Sequence, residues 1–141
     1  MNTQETILQL EGLKLKGMAK CYKALQSMPA SQWPALDTFI ARLAEAERQY
    51  RNRKRTEMYL KTSKLRYNAV MEDVICSEER NLGKEMLLEL MDCTFIDRAE
   101  NLLIDGRTGC GKSFLACAIG RQACFMGHRV EYFFMNKFIE R

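Results

Sequence analysis

Between Gly106 and Ser113 the sequence reads GRTGCGKS, which fits the pattern glycine, four residues, Gly-Lys-Ser. That spacing suits one chemistry, the cradling of a polyphosphate. Glycines let the backbone turn tightly enough to aim several amide N–H groups at a single anion. The Lys112 ammonium is placed for the β- and γ-phosphates of a nucleoside triphosphate, and the Ser113 hydroxyl for Mg²⁺. A helix opening at Lys112 adds the positive end of its dipole. The candidate ligand-contacting residues are therefore Gly106, Arg107, Thr108, Gly109, Cys110, Gly111, Lys112 and Ser113, with Ser113 the candidate metal ligand. A plain glycine turn between two elements has no use for Lys112 and Ser113 together.

The elements needed to position such a loop are a strand before it and a helix after it. Leu102-Leu103-Ile104 is a short apolar run of buried-strand type. From Phe114 to Met126, apolar residues recur at helical spacing, and Gly127 follows as a helix stop. Arg129–Phe134 (RVEYFF) reads as a second strand, so a strand–helix–strand unit and a parallel sheet are expected. Asn136–Arg141 reads as the beginning of another helix.

Upstream, the pattern is helical. Residues 3–28 carry apolar side chains at three- and four-residue steps, with Gly12 and Gly17 allowing a bend into two shorter helices. Pro29–Pro34 is a turn. From Ala35 to about Lys64 a second, long helix is expected, since no proline or glycine occurs between Ala35 and Asn81. Tyr67–Cys76 reads as an extended linker, and Ser77 as an N-cap with Glu78 and Glu79 in the first turn. The expected fold class is α/β. An all-helical unit over residues 1–68 leads into the start of a phosphate-loop, parallel-sheet domain over residues 69–141, cut off after its second strand.

Composition narrows the function classes. An apolar fraction of 47% is that of a globular chain. No apolar run approaches membrane-spanning length, and the N-terminus lacks the order of a signal peptide, so a cytoplasmic protein is expected. Six cysteines occur with no C-x-x-C pair and one histidine, which argues against zinc. They read as reduced thiols, mostly buried. Cys110 is the exception, because it lies within the loop, where oxidation would obstruct a nucleotide.

The net charge of +4 is uneven. Arg42–Arg66 holds nine basic and three acidic residues, a net of +6, leaving −2 for the rest. Arg51, Arg53, Lys54, Arg55, Lys61, Lys64 and Arg66 are candidates for phosphate contacts to duplex DNA, which would be independent of sequence and sensitive to salt. On charge alone, a solvated helix face remains an equal reading.

With these segments in view, the sequence resembles the N-terminal part of the IstB-type ATP-binding proteins, the helper ATPases of bacterial insertion-sequence transposases. The likeness is carried by LKLKGMAKCYKAL, RNRKRTEMYLKTSKLRY and VMEDVICSEERNLGKEMLLEL. It is most specific in ENLLIDGRTGCGKSFLACAIGRQACFMGHRVEYF. The resemblance implies an AAA+ ATPase using ATP and Mg²⁺, binding duplex DNA, contacting the transposase of its own element and forming a homo-oligomer at full length. Two loop positions depart from the family pattern: Asp105 stands where a small hydroxyl residue is usual, and Arg107 where proline is. Asp105 brings negative charge near the phosphates, and Arg107 offsets it. The Walker-B acid and arginine finger of the family have no counterpart after Ser113. A fragment of a longer protein, or the product of a truncated gene, is expected, with no ATP turnover by this chain alone. A DnaC-like helicase loader and a non-enzymatic, DNA-binding remnant are the alternative readings.

Overall fold

A computed structural model describes residues 2–141. Seven α-helices follow one another among the described residues: α1 (Thr3–Gly12), α2 (Lys16–Gln26), α3 (Leu36–Ser63), α4 (Lys84–Met91), α5 (Thr94–Asp97), α6 (Lys112–Phe125) and α7 (Met135–Ile139). Internal contacts divide the chain into two units, Met1–Arg55 and Thr56–Arg141, with the division falling within α3.

In the first unit the bend between α1 and α2 lies at neither glycine. It lies at Lys14, whose φ of 60° is left-handed. Asn2 opens α1 with a capping box, its side chain accepting from Gln4 while Glu5 accepts the Asn2 amide. Gly17 serves a different purpose, the close approach of α2 to α3. A Cβ there would stand 2.7 Å from the Ala46 carbonyl oxygen and 2.7 Å from the Tyr50 Cβ. Helix α2 has no local side-chain cap. Its cap comes from α3, where the buried Glu47 carboxylate accepts the Met18 amide at 3.0 Å and the Arg51 Nε–H at 2.9 Å. Burial alone would raise the Glu47 carboxyl. The Met18 amide, then Arg51 and the Gly17 amide, outweigh it and hold the group below the usual glutamate range. Ala19 and Leu25 bury the inner face of α2, and Tyr22 meets Phe39 edge-to-face.

The second unit is built round α6. Cys117, Ala118 and Ile119 pack with Ala69, Met71 and Leu90. The stretch that reads as a linker, Tyr67–Cys76, thus contributes two core residues and a 3₁₀ turn at Met71–Asp73. Ser77 does cap, accepting the Arg80 amide, but only for the single 3₁₀ turn Glu78–Arg80. Asn81, left-handed at φ 57°, then turns the chain, and α4 starts afresh after Gly83. At the other end of α6, Gly127 (φ 90°) closes a Schellman motif: its amide donates to Cys124 and the His128 amide to Ala123.

The parallel sheet is not formed, which corrects the α/β expectation. Among the described residues there is no strand, and the only ladder fragment is an isolated antiparallel bridge between Ser77 and Leu82. A strand exists only through a neighbouring backbone about 4.8 Å away that takes its N–H and C=O groups. Residues 101–105 and 129–134 exchange no backbone hydrogen bond with each other. The Tyr132 amide donates instead to the Ser63 carbonyl at 2.8 Å, at the end of α3. Of the apolar run before the loop, Ile104 packs on the core, while Leu103 is 90% exposed.

Candidate functional site

The GRTGCGKS loop runs directly into the N-terminus of α6, with Gly111 as its N-cap residue at φ 93° and Gly109 at φ 82°. L-residues with a Cβ adopt such angles at a cost of about 1–2 kcal/mol, so both glycines are required by the local path. At Gly106 the constraint is steric: a Cβ would stand 2.8 Å from the Cys110 Sγ. One turn is closed inside the loop, by the Cys110 amide on the Arg107 carbonyl. Among the described residues, the amides of Thr108, Gly109, Gly111, Lys112 and Ser113 have no acceptor. These donors at the head of a 14-residue helix form a cradle that an anion's oxygens would complete. The residues present therefore fit a polyphosphate. The Lys112 ammonium is held at the mouth of the loop by donating to the Gly106 carbonyl. Ser113, the next residue, is exposed.

A cavity of 510 Å³ adjoins the loop. Its lining includes apolar side chains, among them Val74, Ile75, Leu82 and Phe114. Val74, Ile75 and Leu82 were not singled out for the site in the sequence, because they lie some thirty residues upstream of the loop. The same lining holds the cations Arg80, Arg107 and Lys112 and the carboxylates Asp73, Glu79 and Asp105, three of each. Asp105 and Arg107 are both exposed in that lining. Cys110 is exposed, whereas Cys93, Cys117 and Cys124 are fully buried, and burial pushes the Cys93 and Cys124 thiols up.

The basic residues do not form one uniform face. Arg51 is committed to Glu47, in the ion pair that caps α2. Arg53 and Lys54 lie over the Tyr50 ring, each 5.8 Å from its centroid. Arg55 is exposed on α3 in the first unit, and Lys61 is exposed on α3 in the second. Lys64 follows the end of α3 with a left-handed φ of 55°. Arg66 stacks on Tyr67 and Phe134, at 5.1 and 5.7 Å. No group of three or more metal-binding side chains occurs among the described residues, and no helix there is long and apolar enough to cross a membrane.

A glycine loop of this pattern opening a helix at Lys-Ser defines the phosphate-loop class of nucleotide-binding proteins. Comparison with known proteins gives the family. Residues 8–141 match the IstB-like ATP binding proteins, and the chain belongs to that family. It is 35% identical to an insertion-sequence ATP-binding protein of Pseudomonas fluorescens, over the whole of this chain and 62% of that relative. Two insertion-sequence ATP-binding proteins of Sinorhizobium fredii are 36% and 37% identical, over 88% and 90% of this chain and 51% of each relative. The chain spans about half the length of most of the curated relatives it matches.

Proposed function

We propose that this chain is the ATP-binding part of a DNA-transposition helper, with MgATP held by residues 106–113. The observation that carries the reading is the set of unpaired loop amides at the head of α6, with Lys112 at the mouth of the loop. The triphosphate would lie along the loop amides, Lys112 would leave the Gly106 carbonyl for the β- and γ-phosphates, and Ser113 would take the Mg²⁺. The apolar residues of the lining, Val74, Ile75, Leu82 and Phe114, offer contacts for the base. Bound Mg²⁺ would supply charge neutralisation at the β- and γ-phosphates. The residues of this chain bind and orient.

The same reading assigns duplex DNA to the basic surface of the helical unit, and the transposase of the same element as protein partner. The relatives' names, each tied to an insertion sequence, favour this over a helicase loader. The test of the nucleotide site is an ATP titration of the intact chain and of Lys112→Ala. Loss of a charge-assisted contact of about 1.5–3 kcal/mol should weaken binding by tenfold or more. Equal affinity in a folded variant would overturn the assignment.

A further inference from the structure

The first unit contains a basic site that no single helix makes. On α2, Lys16, Lys20 and Lys23 are all exposed and recur at four- and three-residue steps, so they share one face. On α3, Tyr50, Arg53 and Lys54 also share a face by the same spacing. The two rows meet at the Tyr50 ring. Lys20 Nζ lies 5.3 Å from its centroid, with Arg53 Cζ and Lys54 Nζ each at 5.8 Å. Gly17 brings Lys20 to the ring, because with a Cβ at that position the backbone of α2 could not approach Ala46 and Tyr50. Between the helices lies a hollow of 480 Å³ whose lining includes Lys20, Gln49, Tyr50 and Arg53 and no carboxylate. Neither Lys20 nor Arg53 has an acidic partner among the described residues.

Setting Lys20 and Arg53 beside one ring is electrostatically costly unless something negative completes the group. The ring's negative face offsets part of that repulsion, and a ligand anion would offset the rest. We propose that Lys20 and Arg53, arranged round Tyr50, form a two-helix seat for a phosphate of the DNA backbone. Gln49, whose side-chain amide donates to Glu45 at 3.0 Å, lies on the same rim. The seat rests on the duplex-DNA reading above and narrows it: the contact surface turns from α3 onto α2 and leaves out Arg51, which Glu47 holds. A polymer with one charge about every 1.7 Å of its axis suits the continuing row through Lys16 and Lys23 better than a single small anion does.

The experiment is a salt titration of a labelled duplex with the full chain, its Lys20→Ala, Arg53→Ala and double variants, and Lys84→Ala as a control on α4. The wild type should bind with affinity falling linearly in log salt. Lys20→Ala should flatten that slope by about one unit. Because Lys20 and Arg53 share one phosphate, the double variant should lose less than the two single losses combined. If Lys20→Ala behaves as the Lys84→Ala control does, or if the two losses simply add, the seat is wrong while duplex binding stands. If the wild type binds no duplex, the DNA reading itself fails and the seat with it.

Discussion

Asp105 is the residue at which the loop would work against the proposed triphosphate. It lines the cavity with Asp73 and Glu79, so the lining as a whole has no excess of cations for a triphosphate. Replacing Asp105 with serine removes one negative charge without adding bulk. At an effective dielectric near 20, a charge a few ångströms further from the phosphates than a contact pair is worth on the order of 1 kcal/mol. Asp105→Ser should therefore tighten ATP binding by roughly fivefold in a calorimetric titration. Unchanged or weaker binding would show that Asp105 does not oppose the phosphates. Glu47 is the corresponding residue in the first unit. Its folded-state carboxyl lies below the usual range, so its stabilising contribution is fully present above the unfolded value and is lost as pH falls through the folded one. Thermal melts followed by Trp33 fluorescence should show stability declining below about pH 4.5, with Glu47→Ala flattening that decline. At neutral pH the same substitution should cost about 1–3 kcal/mol, the cap and the pair together.

At the scale of elements, the decisive contact is α2 on α3. Helix α1 has its own capping box, and α6 has a glycine at each end, but α2 takes both its cap and its position from another helix. Gly17→Ala should accordingly be harmful despite alanine's better helix propensity, which favours it by about 1 kcal/mol. The added methyl meets the backbone of Ala46, not the mobile end of a side chain, so the helices must part. A net loss of about 1–3 kcal/mol is expected in urea unfolding. Stabilisation by that substitution would mean that α2 does not approach α3 as closely as described.

For the whole molecule, the excess of positive charge and the glycine loop fall in different units. Residues 1–55 carry ten basic and five acidic side chains, a net of +5, and residues 56–141 carry twelve and thirteen, a net of −1. Duplex binding driven by counterion release should follow the first, and nucleotide binding the loop of the second. Lys112→Ala, measured without nucleotide, should leave duplex affinity within about twofold and its salt slope unchanged. A tenfold loss would place a DNA contact at the loop itself.

How much was legible in the sequence follows the range of the interactions concerned. The long α3, the end of α6 at Gly127 and the glycine-loop pattern could all be read, because helix hydrogen bonds and left-handed turns are settled within a few residues of chain. The family likeness could be read too, since its motifs are contiguous, and the comparisons agree with it. Other features depended on partners distant in sequence. The apolar runs at 102–104 and 129–134 have strand composition but no backbone to pair with, and composition does not supply one. Ala69 and Met71 look like linker residues until α6 packs on them. Arg51 and Arg53 are two positions apart and equally basic in the sequence. The pair of Arg51 with Glu47 and the contact of Arg53 with Tyr50 follow from four- and three-residue helical spacing. Only the approach of α2 at Gly17 brings the Met18 amide onto Glu47 and Lys20 onto Tyr50, which no spacing within α3 supplies.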